Sequence, residues 1–180
     1  VYFYVSAAVS LAVGRGFLAL RIVSVAATFG SLWLIHRTVR EQTGSAWAGL
    51  VAGGLFCATF TLSDSWFDIA RVDSLFLSLL LLSAYLLSKD RVLPCILGGI
   101  LLALASFTKQ TAVGFLPVIG LYCLLPPKRS TLAYVAAAVS VLAVGTLVLD
   151  SLHGGWFKYY VFELPSRHSA PNVVSMLGSI

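Results

Sequence analysis

The chain has 180 residues, of which 59% are hydrophobic and 11% are charged, and its mean hydropathy is +0.94. A soluble globular domain carries about 25% charged residues, so this composition excludes that class and indicates a polytopic membrane protein. The twelve Lys and Arg residues outnumber the seven Asp and Glu residues. In a membrane protein this excess favours anionic lipid as a partner, and we expect no nucleic-acid partner because no water-exposed basic domain is visible.

Apolar runs follow one another along the chain. A helix needs about 20 residues to cross about 30 Å of hydrocarbon, and flanking Lys and Arg side chains extend a shorter run by reaching toward water. A first apolar helix is expected over Val1 to Gly14. The six further runs are residues 17–35, 46–62, 74–88, 92–108, 110–127 and 130–149. The sequence therefore predicts an all-α transmembrane helix bundle of about 6–7 membrane helices, with a core over residues 1–149 and an interfacial or outer-face segment over residues 150–180.

The apolar stretch from residue 92 to residue 125 is interrupted only around Lys109. One helix of this length would be about 51 Å long, which exceeds the thickness of a bilayer. We therefore expect two antiparallel helices that meet at Thr108, Lys109 and Gln110, with Lys109 at a membrane surface. A snorkelling lysine in a tight hairpin is the structural interpretation, and an ammonium group that contacts a lipid phosphate is the functional one.

Alternation of the spans sorts the polar connections onto two sides of the membrane. One side holds residues 36–44, 88–91 and 126–130. The other holds Arg15, Arg21, residues 63–73, Lys109, Gln110 and everything after Asp150. Each side carries six Lys and Arg residues, so the positive-inside rule gives no orientation by counting, but five of the seven acids lie on the second side. We expect the first side to be cytoplasmic, and the second to hold the working face of a multi-pass plasma-membrane protein.

A charged motif, Phe67-Asp68-Ile69-Ala70-Arg71-Val72-Asp73-Ser74, leads directly into an apolar run. On a helix, the spacing of Asp64, Asp68 and Arg71 places them on one face, with Asp73 pointing elsewhere. The structural interpretation is an Asp68–Arg71 ion pair, with Asp73 at a helix N-terminus where its charge suits the dipole. In the functional interpretation, Asp73 and Arg71 line a polar cavity for a substrate or a metal-bound phosphate, and Asp73 orients an acceptor hydroxyl or assists its deprotonation.

The remaining polar and aromatic features give weaker signals. The tail from His153 to Ser169 is rich in aromatic residues, which predicts an interfacial aromatic belt or a helix that covers a substrate cleft. The isolated cysteines are expected to act as small hydrophobic residues. No metal-ligand set is predicted.

Three short motifs occur in a characteristic order: Leu18-Ala19-Leu20-Arg21, Ala70-Arg71-Val72-Asp73-Ser74-Leu75 and Ser106-Phe107-Thr108-Lys109-Gln110-Thr111. Through them the chain resembles the GT-C superfamily of integral-membrane glycosyltransferases over nearly its whole length. Within that superfamily it is most similar to the protein O-mannosyltransferase, aminoarabinose transferase and RgtA/B/C/D-like branch. The resemblance implies inverting transfer of a sugar from a polyprenyl-phosphate-linked donor to a protein, lipid or glycan acceptor at the outer face. It establishes no cofactor and leaves a divalent metal open.

The resemblance also assigns roles to individual residues. Asp73 corresponds to the family's second acidic position at the rim of the active site, and Lys109 to its lysine near the lipid phosphate. The candidate catalytic residues are therefore Asp73 and Arg71, and the candidate substrate-binding residues are Lys109, Gln110 and Arg21. Many members have Pro where this chain has Val72. The first span and the catalytic loop with the principal aspartate are expected upstream of residue 1, so these 180 residues alone are expected to be inactive.

The alternative function is that of a polytopic transporter or lipid flippase. A flippase predicts charges buried in the middle of several helices. Here Asp73, Lys109, Arg15 and Arg21 are expected at one membrane surface, which favours an interfacial enzyme.

Overall fold

The protein is all-α, as predicted, in the residues that the structure describes. This computed structural model describes residues 1–62, 69–115, 118, 121 and 129–164, and no strand occurs among them. The longer helices are α1 (Tyr2–Val13), α2 (Phe17–Thr43), α3 (Ala46–Ala58), α4 (Val72–Leu87), α5 (Val92–Thr108) and α6 (Arg129–Leu152). A 3-10 helix, Gln110–Gly114, follows α5. A short helix, α7 (Trp156–Lys158), and a π-helical turn, Tyr159–Glu163, follow α6.

The helices have the lengths and composition of a membrane bundle. Helices α2, with 27 residues, and α6, with 24, are long and apolar enough to cross a membrane, and α1, α3, α4 and α5 are shorter apolar helices. The predicted spans at 17–35, 46–62, 74–88, 92–108 and 130–149 each overlap with one of these helices. The predicted span at 110–127 begins as a 3-10 helix, and most of its remainder lies outside the described residues, as do Asp64 and Asp68.

Helix α2 continues well beyond its predicted end at residue 35, so the prediction of a connection over residues 36–44 was wrong. The charged residues of this segment remain helical because they pair along the helix: Arg37 Nε donates to Glu41 Oε1 at 3.0 Å, one turn away. The helix ends at Thr43. Gly44 follows with φ +71°, a left-handed conformation in which glycine has no steric penalty.

The chain divides into two compact units, Val1–Val141 and Leu142–Ile180. In the first unit, α2 contacts α1, α3 and α4, and α4 contacts α5. Since α2 joins three neighbours, the relative positions of α1, α3 and α4 depend on its surface. The predicted boundary between residues 149 and 150 stays a prediction.

The second unit contains a tight turn followed by clustered aromatic rings. Gly155 (φ +85°) turns the chain after α6, and Asp150 Oδ1 accepts a hydrogen bond from the Lys158 backbone N–H at 2.9 Å. The Trp156 ring stacks on Tyr160, with ring centroids 5.8 Å apart. Part of the aromatic tail is therefore ordered into a cluster, and the tail from residue 165 onward lies outside the described residues.

Helices α4, α5 and α6 meet at a buried polar junction. The Ser83 hydroxyl donates to the Gly98 carbonyl oxygen at 2.7 Å, so the Tyr134 hydroxyl, 2.6 Å from Ser83 Oγ, is the donor of the second bond. A Cβ atom at Gly99 would collide with the backbone of α6 at Tyr134 and Ala138. In a membrane the hydrophobic effect does not drive helices together, because lipid is as apolar as the helix surfaces. Small residues and interhelical hydrogen bonds are the usual basis of helix association there.

A methyl group added at Gly99 should therefore destabilise the bundle. We expect Gly99→Ala to lower the free energy of unfolding by about 1–3 kcal/mol, since the backbone of α6 has to move to make room. Gly54→Ala in α3 is the matched control, because a Cβ there meets nothing within 4 Å, and it should raise stability by up to about 1 kcal/mol through helix propensity. Unfolding in a dodecyl sulfate titration measures both. Equal effects of the two variants would contradict the close crossing of α5 and α6.

Candidate active site

Three charged side chains join the start of α4 to the end of α5. Asp73 Oδ1 lies 2.6 Å from Lys109 Nζ, and Asp73 Oδ2 lies 3.1 Å from Arg71 Nε. We call these three residues the Asp73 cluster. Asp73 and Lys109 are 36 positions apart in the sequence, and the fold brings them into direct contact. The structure thus brings three of the five candidate residues into one cluster.

Local backbone structure explains how these side chains are presented. Arg71 is the N-cap of α4 in an extended conformation (φ −127°, ψ 156°), and Asp73 lies in the first helical turn, where a negative charge interacts favourably with the helix dipole. Lys109 follows the last residue of α5, also in an extended conformation (φ −147°, ψ 124°), and the chain then enters the 3-10 helix. The start of one helix and the end of the next therefore lie at the same end of the bundle.

The cluster contains two cations and one nearly buried anion. The Asp73 side chain is 12% exposed, whereas those of Lys109 and Arg71 are 39% and 55% exposed. A buried carboxylate is costly unless it is paired, and here each of its oxygens faces a cation. The Lys109 ammonium also lies 5.9 Å from the centroid of the Phe76 ring. The cluster therefore keeps a net positive charge on its more exposed members.

Two buried hydroxyl groups connect the cluster to α1 and α2. Ser24 Oγ donates to the Arg71 carbonyl oxygen at 3.2 Å. The Tyr2 hydroxyl is within hydrogen-bond distance of both Ser24 Oγ, at 3.1 Å, and the Leu20 carbonyl oxygen, at 3.0 Å. Neither Tyr2 nor Ser24 was predicted from the sequence as part of the site. The available signal was a polar side chain inside an apolar run, which in membrane helices commonly marks an interhelical hydrogen bond.

The other two candidate residues lie beside the cluster. Arg21 is exposed and lines a cleft of about 530 Å³ together with Phe17, Ile69 and Ala70. Ile69 and Ala70 directly precede Arg71, so this cleft adjoins the cluster. Gln110 follows Lys109 at the start of the 3-10 helix. Its side chain is exposed and makes no hydrogen bond within the described part of the chain.

The described residues at this site do not fit a divalent metal. Both oxygens of Asp73 already face cations, and among the residues that the structure describes no group of three or more His, Cys, Asp or Glu side chains could hold a metal ion. A metal ligand set would need displacement of Lys109 and Arg71 from the carboxylate.

The comparison with known families identifies the class of protein. The model for glycosyltransferase family 87 matches residues 2–179. The chain belongs to glycosyltransferase family 87. This is a GT-C-like membrane family, so membership supports glycosyl transfer as the reaction class and gives no support to the transporter or flippase alternative. No curated protein and no solved structure matches the chain.

The ion pair between Asp73 and Lys109 makes a direct prediction for this family 87 protein. The free energies of unfolding of Asp73→Asn and Lys109→Met should be non-additive by about 0.5–2 kcal/mol in a double-mutant cycle, because each single change leaves the partner charge with fewer contacts. Asp73→Asn combined with Lys89→Met, at the other end of α4, should be additive within about 0.5 kcal/mol. Additivity in both cycles would show that the 2.6 Å contact contributes no coupling energy.

Proposed function

We propose that this family 87 chain forms the membrane core of an inverting glycosyltransferase that uses a polyprenyl-phosphate-linked sugar. The acceptor is a protein, lipid or glycan hydroxyl at the outer face, as in the O-mannosyltransferase, aminoarabinose transferase and RgtA/B/C/D-like branch that the sequence resembles. One observation carries the proposal. Lys109 and Arg71 converge on a buried carboxylate, and Arg21 lines the adjoining cleft.

A charged lipid donor fits this arrangement. The phosphodiester of such a donor carries a negative charge, and ammonium and guanidinium groups are the usual protein partners of phosphate. When the sugar C1–O bond breaks, its electron pair goes to the leaving lipid phosphate, which gains a second negative charge. Cations already in place stabilise that charge as it develops, and they do so most effectively where water is partly excluded. Lys109 and Arg71 take this role in the proposal, with Arg21 as a further contact in the cleft.

Asp73 serves in the proposal as a positioning residue. Each of its carboxylate oxygens forms an ion pair, one with Lys109 and the other with Arg71. Its negative charge therefore holds together two cations that would otherwise repel each other. The proton of the acceptor hydroxyl goes instead to another base, because both oxygens of Asp73 are already paired. This proposal differs from the hypothesis drawn from the sequence, in which Asp73 itself orients or deprotonates the acceptor, and that hypothesis stays a prediction.

The end of the bundle that holds the cluster is proposed to face outward. At the other end, Lys89 hydrogen-bonds to Glu41, and Ser130 Oγ donates to Asp90 Oδ1 at 2.7 Å. These contacts bring the end of α2, the α4–α5 connection and the start of α6 together, as the alternation of spans predicts. We propose that this second end is cytoplasmic and that the protein is a multi-pass plasma-membrane protein.

Cysteine labelling tests the orientation. In a background that lacks the native cysteines, Gln110→Cys should react with a membrane-impermeant maleimide in intact cells. Gln42→Cys, near the end of α2, should react only after permeabilisation. Both positions are exposed, so accessibility of the side chain does not explain a difference. The reverse labelling pattern would place the Asp73 cluster on the cytoplasmic side and contradict the outward-facing site.

Donor kinetics test the role of Lys109. In the complete protein reconstituted into liposomes with a synthetic polyprenyl-phosphate sugar, Lys109→Met should lower kcat/KM for the donor by about 10–100-fold, the usual loss for a hydrogen bond to a charged group. Arg91→Gln is the control, because it removes a positive charge at the opposite end of the bundle and should leave kcat/KM unchanged. A normal kcat/KM in a folded Lys109→Met protein would rule out the phosphate contact.

The same assay separates the two roles of Asp73. A positioning role predicts that Asp73→Asn lowers kcat/KM for the donor and leaves the acidic limb of the pH profile in place. A proton-accepting role predicts a loss of about 10²-fold or more in kcat at saturating donor, together with loss of the acidic limb of the pH profile. The second pattern would return Asp73 to the role of general base.

A further inference from the structure

Helix α2 is longer than the hydrocarbon layer that it crosses. Its 27 residues extend about 40 Å, compared with about 30 Å of hydrocarbon. With Phe17 near one boundary, the last two turns before Thr43 extend into the headgroup region at the opposite side. Trp33 and Trp47 are exposed at this end of α2 and α3, at 53% and 77%, as is common for aromatic residues at the level of the headgroups.

A polar cavity of about 560 Å³ lies at this end of α2. It is lined by Trp33, His36, Arg37, Arg40, Glu41 and Gly44, and we call it the α2-end cavity. Among the described lining residues the only acid is Glu41, and its carboxylate accepts hydrogen bonds from Arg37 at 3.0 Å, from the Tyr85 hydroxyl at 2.9 Å and from Lys89. The hydrogen bond to Glu41 raises the pKa of Lys89. Both carboxylate oxygens of Glu41 thus already accept hydrogen bonds.

Positive charge remains available in the cavity. Arg40 is exposed and makes no hydrogen bond or ion pair within the described residues. The Arg37 guanidinium is held 5.0 Å from the centroid of the Trp33 ring. The His36 Nδ1 atom is buried and has no hydrogen-bond partner in the described part of the chain, and its ring lies so close to Gly49 that a Cβ there would be 2.6 Å from Nδ1. The cavity therefore presents a fixed imidazole beside two guanidinium groups.

An apolar groove continues from the α2-end cavity along the contact between α2 and α3. The groove has a volume of about 390 Å³ and is lined by Phe29, Leu32, Trp33, His36, Gly49, Leu50, Gly53 and Gly54. Trp33 and His36 line both spaces. A basic mouth at headgroup level thus opens into an apolar channel that runs toward the membrane interior. A soluble phosphate compound would use only the first of these spaces, whereas a lipid matches both.

We propose that the α2-end cavity and its groove bind a phospholipid with an anionic headgroup. The lipid phosphate lies against Arg40 and His36, and one acyl chain follows the groove past Gly53 and Gly54. This site lies at the end of α2 opposite to the Asp73 cluster, and it is independent of the donor-binding role proposed there.

Retention of lipid by the purified complete protein tests the headgroup half of the site. Samples are exchanged from phosphatidylglycerol or phosphatidylcholine into a mild detergent, and bound lipid is counted by native mass spectrometry. Arg40→Gln should lower phosphatidylglycerol retention about fivefold, as expected for one basic residue at an anionic surface, and Arg40→Lys should restore most of it. Arg91→Gln removes the same charge at the same end, outside the cavity, and should retain lipid normally.

A second pair of variants tests the groove. Gly54 faces open space, so Gly54→Leu should fill the groove without disturbing α3 and lower phosphatidylglycerol retention about tenfold, as if two buried methylene contacts were lost. Ala58→Leu adds similar bulk to α3 at an exposed position outside the groove and should have no effect. A melting temperature equal to that of the wild type shows that a variant's loss of lipid retention is not caused by unfolding.

Three results would overturn the proposal. Equal loss in Arg40→Gln and Arg91→Gln would reduce the effect to general surface charge. Unchanged retention in Gly54→Leu would remove the acyl chain from the groove. Displacement of phosphatidylglycerol by millimolar inorganic phosphate, with no dependence on Gly54, would assign the cavity to a soluble phosphate compound instead of a lipid.

Discussion

The carboxylate of Asp73 imposes the main constraint on this structure. An ionised group that is nearly buried at the end of a membrane bundle is stable only beside opposite charges, and the chain supplies them from two different segments. Arg71 comes from the residue that precedes α4, and Lys109 from the residue that follows α5. The start of α4 and the end of α5 therefore have to stay together. Because Ser24 hydrogen-bonds to the Arg71 backbone, the same constraint extends to α2.

Close helix packing keeps these segments in register. Glycine faces a neighbouring helix at several crossings in the described residues: a Cβ at Gly30 would lie 3.1 Å from Ser78 Oγ, and one at Gly49 would contact His36. Such crossings replace the hydrophobic drive that lipid removes. They also fix the separation of the helix axes, and with it the distance between side chains at the helix ends. The geometry of the Asp73 cluster is thus a consequence of packing well inside the membrane.

The two ends of the bundle use charge in different ways. At one end, two cations share a buried carboxylate and keep a net positive charge beside a cleft, which suits the charged donor proposed for this family 87 protein. At the other end, Glu41 is satisfied by three donors, which leaves Arg40 available for an external anion. In the two proposals, both arrangements place positive charge at the level of the lipid headgroups. The two ends differ in what lies beside the positive charge: an ion-pair network at the first end and an apolar groove at the second.

The sequence determined the class of the protein and much of its helical order, because hydropathy over long runs depends on composition and not on contacts. The runs identified an all-α membrane bundle, and the break at Lys109 correctly ended α5 at Thr108. The sequence also selected Asp73, Arg71 and Lys109, since charged residues beside apolar runs are rare and costly. In each case the signal was local.

The tertiary structure decided which of these residues touch. Asp73 contacts a lysine 36 positions away, and no helical spacing encodes such a pair. Local rules instead suggested that Arg71 pairs with Asp68, which lies outside the described residues, whereas the structure pairs it with Asp73. Residues 36–43, assigned to a connection because they are charged, remain helical because Arg37 and Glu41 pair along the helix. Only the packing of α1 and α2 shows that Tyr2 and Ser24 contact each other and that Ser24 bonds to the Arg71 backbone. These contacts depend on which helix surfaces meet, and that choice is made by the whole bundle and not by any one segment.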